Sequence, residues 1–263
     1  MATYLDRILA AHRAQAADDD RDTAKLRQVA AAMPATRGFT AALARATGLG
    51  VIAEVKRRSP SKGDLHADLD PAQVAEAYAA GDATCLSVLT DADFFGGSPE
   101  DLQAARGAVT IPVLRKDFTV SANDVCDARL MGADAVLLIT AALDQDELAE
   151  LHALAVEIGL DALVEVHDEP ELERALAVGA TLVGVNQRDL VTFEVDTQRA
   201  TRMAPLMPAG VIRVAESGVV GPADAKVLAD AGYHAVLVGE SLVTSGAPTA
   251  ATAGLRAVPR AAG

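Results

Sequence analysis

The stretch ADAVLLITAALDQDELAELHALAVEIGLDALVEVH, residues 133–167, decides the fold. It opens on a short apolar run, ADAVLLI (133–139), passes into LDQDELAELHALAVEIG (143–159), and returns to a second apolar run, ALVEV (162–166). The outer runs are short, near-continuously apolar and rich in branched side chains, which fits strands buried on both faces. The middle segment carries apolar residues at i, i+3 and i+4 and closes on Gly159, as an amphipathic helix does. Strand, helix and strand in this order form one parallel crossover unit.

Outward from there the unit repeats. VIAEVK (51–56), TCLSVLT (84–90), IPVLRK (111–116), TLVGVNQ (181–187), VIRVAES (211–217) and HAVLVGE (234–240) bring the apolar runs to eight, with starts about 20 to 33 residues apart. Each gap holds one helix and two short loops; PAQVAEAYAAG, SANDVCDARLMGA, EPELERALAVGA and GPADAKVLADAG have the helical period. Eight such repeats predict an α/β fold of the (β/α)8 TIM-barrel type. An open doubly wound sheet is the alternative, but it usually has a Gly-rich turn after its first strand, and EVKRRSPSKG has no GxGxxG. Residues 1–263 are expected to form a single barrel domain, with 1–50 a helical extension and 51–263 the barrel. TYLDRILAAHRAQ, DTAKLRQVAAAM and FTAALARA look helical. They are expected to cap the N-terminal face or pack beside the barrel, a lid over the opposite face being the alternative.

Composition narrows the function. The chain is 51% hydrophobic, 23% charged and 3% aromatic with no Trp, so its core is expected to be Ala, Val, Leu and Ile. A net charge of −14 makes nucleic acid and anionic membrane surfaces poor partners, since both need clustered Lys and Arg. No apolar run is long enough for a membrane span and the N-terminus lacks a signal-like apolar region, so a cytoplasmic location is expected. Cys85 and Cys126 sit in apolar runs and read as buried thiols. The five histidines show no ligand spacing, and no metal site is expected.

Barrel enzymes keep their chemistry at the C-terminal ends of the strands. Those ends here are Glu54 to Lys56, Lys116 to Asp117, Glu165, Asn186 to Arg188, Glu216 to Gly218, and Gly239 to Glu240. Each breaks an apolar run with polar residues, and burying these without function would cost several kcal/mol. A set of barrel-filling ion pairs, such as Glu54 with Lys56, is the structural alternative. The run KRRSPSK concentrates four cations and LRKD adds two, so an anionic small molecule is the expected partner. Gly218 and Gly239 lead into helices after the last two strands, where barrels often bind phosphate with backbone N–H groups and helix N-termini.

The ordered motifs IAEVKRRSPSKG, LSVLTDADFFGGS, IPVLRKDF, LVEVH, VGVNQRDL, VAESGV and VLVGESL, spread over about residues 51 to 243, resemble the strand-end motifs of the indole-3-glycerol phosphate synthase family. The resemblance implies ring closure, decarboxylation and dehydration of 1-(2-carboxyphenylamino)-1-deoxyribulose 5-phosphate in tryptophan biosynthesis, with no cofactor or metal. It makes Lys116 the general acid, Glu165 the base for dehydration, and Lys56 the second essential lysine, which holds the substrate carboxylate. Which lysine acts at which step stays open. Glu54 and Asn186 would orient these groups, and Arg188, Glu216 and Ser217 would line the sugar chain. Ser59, Gly218, Gly239 and Glu240 would surround the phosphate, with the Glu240 carboxylate turned away. Pro60, Phe95, Phe118, Leu137 and Leu190 would form the anthranilate pocket. The expected assembly is a monomer or weak homo-oligomer.

Two barrel enzymes of the same pathway, phosphoribosylanthranilate isomerase and the tryptophan synthase α-type lyase, would share the phosphate site. The isomerase would need a Cys or Asp base at the first strand, where Glu54 and Lys56 stand instead. A binding protein that had lost catalysis would have eroded strand ends, yet Lys56, Lys116 and Glu165 are all present.

Overall fold

A computed structural model describes residues 3–59 and 62–260. Eight strands close into an all-parallel barrel: β1 (Gly50–Val55), β2 (Cys85–Leu89), β3 (Val113–Lys116), β4 (Ala135–Ile139), β5 (Asp161–Val166), β6 (Leu182–Asn186), β7 (Ile212–Glu216) and β8 (Ala235–Val238). β1 closes the ring by pairing with β8 on one side and β2 on the other, Ile52 meeting both Leu237 and Cys85. All eight predicted strands are present, displaced by no more than two residues at either end.

The helices are α1 (Tyr4–Asp18), α2 (Thr23–Ala31), α3 (Phe39–Arg45), α4 (Pro71–Ala80), α5 (Pro99–Ala108), α6 (Ala122–Leu130), α7 (Gln145–Glu157), α8 (Glu169–Ala177), α9 (Arg199–Met203), α10 (Pro222–Asp230), α11 (Glu240–Val243) and α12 (Pro248–Arg256). Their starts follow from local chemistry. Asp144 accepts from the N–H of Glu147 while the Glu147 carboxylate accepts from that of Asp144, and Ser121 with Asp124 repeats the arrangement at α6. Pro71 and Pro99 stand in first turns that leave their missing N–H unneeded. The strand predicted to run through Glu240 stops at Val238, because Gly239 caps α11.

The N-terminal extension serves both ends of the barrel. α3 seals the N-terminal face, where Phe39 and Leu43 are fully buried, worth about 1.5–3 kcal/mol each. Asp134 and Asp161, at the starts of β4 and β5, accept from the backbone N–H groups of Arg37 and Thr40, both at 2.8 Å. α1 instead crosses the C-terminal rim, where Arg13 donates to the carbonyl of Ala142 beyond β4 at 3.0 Å. α1 thus lies over the C-terminal rim and α3 over the N-terminal face.

Asp134 is fully buried and also accepts from the Val113 N–H at 2.8 Å and from the Arg106 guanidinium. Asp134→Ala strands these donors and is expected to cost roughly 3–5 kcal/mol, read as a lower urea midpoint.

Candidate active site

A cavity of about 890 Å³ opens over the C-terminal ends of the strands, and Glu54, Lys56, Ser59, Lys116, Glu165, Asn186, Arg188, Glu216, Ser217, Gly218, Gly239 and Glu240 all line it. Pro60 lies outside the described residues. The four residues Glu54, Lys116, Glu165 and Glu216 come from four different strands and are brought together by closure of the ring.

Lys116 is the hub. Its ammonium stands 3.4 Å from Glu165 Oε2 and 4.0 Å from Glu216 Oε2. Burial alone would lower its pKa, but the carboxylates of Glu165, Glu216 and Glu54 outweigh that and hold it above the ordinary lysine value. Lys116 therefore carries its proton throughout the neutral range. The two acids beside it diverge. Burial pushes Glu216 well above the usual carboxylate range, and the neighbouring Glu165 charge adds to the push. Glu165 is equally buried, yet Lys116 and His167, with an Asn186 hydrogen bond, bring it below its ordinary value. The two carboxyls titrate as a pair, with proton affinity pushed up at Glu216 and down at Glu165.

Asn186 fixes this arrangement. Its Nδ2 donates to Glu165 Oε1 at 3.1 Å, while its Oδ1 accepts from the Ser217 hydroxyl at 2.9 Å and the Arg188 N–H at 3.0 Å. Lys56 pairs with Glu54 Oε1 at 2.5 Å, so the predicted ion pair exists, but both partners face the cavity. Two glycines make the space. A Cβ on Gly239 would overlap the Glu54 carboxylate, and one on Gly184 would overlap that of Glu216.

After β7 and β8 the backbone is bare. Among the described residues, the N–H groups of Gly218, Val219, Gly239 and Glu240 have no acceptor in the protein. Ser217 and Gly218 both hold left-handed φ, at 67° and 76°, which turns the chain sharply into the cavity. The Ser241 hydroxyl donates to the carbonyl of Val219 at 2.9 Å and ties the two turns together. Free amides at adjoining turns form an anion cradle. The Glu240 carboxylate is paired with Lys62 at 2.7 Å.

Only part of the cationic run serves the cavity. Lys56 and Lys62 line it, whereas Arg57 is tied to Asp101 and the carbonyl of Leu69, and Arg58 donates to the carbonyl of Asp93. Arg115 likewise turns to Asp117 at 2.9 Å.

The apolar wall is formed by Phe95, Phe118, Leu137 and Leu190, with the rings of Phe95 and Phe118 6.3 Å apart. The motifs did not reveal its roof. Tyr4, Leu5 and Ile8 of α1 line the cavity, and Tyr4 meets Phe94 and Phe193 edge-on at 5.8 and 5.4 Å. In a chain with three Tyr and five Phe, Tyr4, Phe94, Phe95, Phe118 and Phe193 all gather at this mouth. His12 pins α1 there, its Nε2 lying 2.9 Å from Asp91 Oδ2 and 3.8 Å from Asp117 Oδ1. The scarcity of aromatics was a signal for the roof; nothing local joined His12 to Asp91.

A parallel barrel with an ammonium, a ready carboxylate and bare amides converging at its C-terminal face defines a (β/α)8-barrel enzyme of acid–base type. The sequence profile of the indole-3-glycerol phosphate synthase family matches residues 5–255. Indole-3-glycerol phosphate synthase of Nocardioides sp. is 58% identical over 79% of this chain and 80% of its own, and that of Mycobacterium leprae is 52% identical over 97% and 94%. The chain belongs to the indole-3-glycerol phosphate synthase family. Among solved structures, thiamine phosphate pyrophosphorylase from Pyrococcus furiosus is similar with a TM-score of 0.60 at 16% identity, over 81% of this chain and 96% of that one, a likeness of fold alone. No described helix is long and apolar enough to cross a membrane.

Proposed function

We propose that this protein is a single-domain indole-3-glycerol phosphate synthase that converts 1-(2-carboxyphenylamino)-1-deoxyribulose 5-phosphate to indole-3-glycerol phosphate. The observation that carries the reading is the Lys116–Glu165 pair, 3.4 Å apart on the cavity floor, with a held proton on one side and an open carboxylate on the other.

Ring closure joins an aromatic carbon to the ketone carbon, and negative charge develops on the ketone oxygen. Lys116 supplies a proton and a positive charge there. Lys56, steadied by Glu54, holds the substrate carboxylate until carbon dioxide leaves and the ring regains aromaticity. Glu165 then takes a proton from the new ring while a lysine ammonium, Lys56 or Lys116, protonates the ring hydroxyl, which departs as water. Asn186 orients Glu165, while Arg188, Ser217 and the protonated Glu216 line the sugar chain. The phosphate accepts from the amides of Gly218, Gly239 and Glu240 beside Ser59, with Lys62 screening the Glu240 carboxylate. Phe95, Phe118, Leu137 and Leu190 sandwich the anthranilate ring.

The proton transfers are all covered by side chains, so the chemistry asks for neither cofactor nor metal. On this reading the enzyme works in the cytoplasm on a small anionic substrate, as a monomer or weak homo-oligomer. Purified protein given that substrate with a chelator is expected to develop indole fluorescence. Silence with chelator, with activity restored by a metal ion, would point to a different mechanism.

A further inference from the structure

No step of that chemistry uses His167, although its ring stands directly behind the base. His167 follows Val166, the last residue of β5, and so lies two positions beyond Glu165, on the same side of the chain. It is tightly held. Glu171 Oε2 accepts from the His167 backbone N–H at 2.8 Å and lies 3.0 Å from ring Nδ1. Glu171 is itself fixed in the first turn of α8, its N–H donating to Asp168 Oδ1 at 2.9 Å.

The other ring nitrogen decides the matter. Nε2 is buried, has no hydrogen-bond partner among the described residues, and lies 3.5 Å from Glu165 Oε1. Both nitrogens thus face carboxylate oxygens, which only accept. A neutral ring would aim a lone pair at one of them, so the geometry calls for a proton on each nitrogen.

We propose that His167 is a positioning residue for this reaction: an imidazolium clamped by Glu171, it supports the rear oxygen of Glu165 so that the base stays ionised with its front oxygen, Oε2, toward Lys116 and the substrate. The inference rests on the function proposed above. The surrounding charges agree with it. Burial and, more weakly, Arg199 of α9 press the ring toward neutrality, but Glu171 and Glu165 prevail and raise its pKa above the ordinary histidine value. Glu165 is faced by Lys116 from β3, Glu216 from β7, Asn186 from β6 and His167 behind it. Removing the imidazolium takes away a cation that, with Lys116, opposes the burial of Glu165, so Glu165 would hold its proton to higher pH.

The test compares wild type, His167→Ala and Glu171→Gln by two readouts. The first is the pH profile of kcat for indole formation. The second is a carboxyl 13C NMR titration of Glu-labelled protein, with Glu165 assigned by the signal lost in Glu165→Gln. In His167→Ala the acid limb of kcat and the Glu165 titration are both expected to move up by about one pH unit. Turnover well below the midpoint of the wild-type limb should fall about 10-fold, with KM within about 2-fold of wild type. Glu171→Gln keeps the ring but loosens it, and should shift both readouts the same way by less. It also carries the test if His167→Ala fails to fold. An unmoved limb and an unmoved Glu165 titration would overturn the proposal, whereas a merely structural role would lower the folded fraction and leave both in place. Were wild type to make no indole product, the reaction reading would fall, and the NMR titration would still decide whether His167 holds Glu165 ionised.

Discussion

Replacing Lys116 with alanine is expected to lower turnover by at least about 100-fold and by as much as about 10,000-fold. The large effect follows from two jobs done by one ammonium. It donates the proton at ring closure, and its charge is held in place by Glu165, Glu216 and Glu54 together. Without it, the buried acids face one another with less opposing charge, and Glu165 would retain a proton in the range where it should be a base. The acid and the base are therefore lost together. The measurement is steady-state indole fluorescence, with circular dichroism to establish that the variant folds. Near-normal turnover would remove Lys116 from its role. A Lys116→Ala/Glu165→Gln double variant is expected to be little worse than the poorer single variant, because the two groups act as a unit.

Glu165→Gln is the second large effect, again at least about 100-fold in turnover. Glutamine keeps the shape and the contact with Asn186 but cannot accept a proton. If Glu165 acts at dehydration, the steps before it survive. A single turnover with excess enzyme should release carbon dioxide at close to the wild-type rate, while indole fluorescence lags far behind. Equal slowing of both signals would move Glu165 to ring closure. The pH profile gives an independent check. The Glu165 pKa lies below the ordinary glutamate value, so wild-type turnover should persist as pH falls through that value and drop only below it. That limb should vanish in the glutamine variant.

Much of the fold could be read from local patterns because each strand and each helix announces itself within its own residues. The boundary errors have plain causes. The run IPVLRK begins two residues before β3, since Ile111 and Pro112 are apolar yet precede the ladder, with the Pro112 carbonyl merely accepting from the Leu86 N–H. α5, α9 and α12 have no helical segment assigned to them from the sequence, and α11 is foreseen only as the helix that follows Gly239. α11 and α9 are a single short turn or little more, and α12 is mostly Pro, Thr, Ala and Gly, with Leu255 its one large apolar residue.

The site divided in the same way. Lys116 and Glu165 stood out because a charge ending a buried strand demands an explanation. Arg57 and Arg58 share one cationic run with Lys56, and their partners, Asp101 and the Asp93 carbonyl, take them out of the cavity. His167 carried no mark in the chain beyond its place after β5. His12 meets Asp91 across 79 positions of sequence.

Residue order and type alone were enough to dictate the alternation of strand and helix, the eightfold repeat, and which strand ends would be polar, because these depend on neighbours a few positions apart. Three-dimensional packing was needed to assign α1 to the mouth and α3 to the floor, to select which cations face the ligand, and to separate Glu165 from Glu216. Two glutamates of identical chemistry differ in proton affinity only through what burial and neighbouring charges do to each, and those neighbours come from other strands brought close by closing the ring.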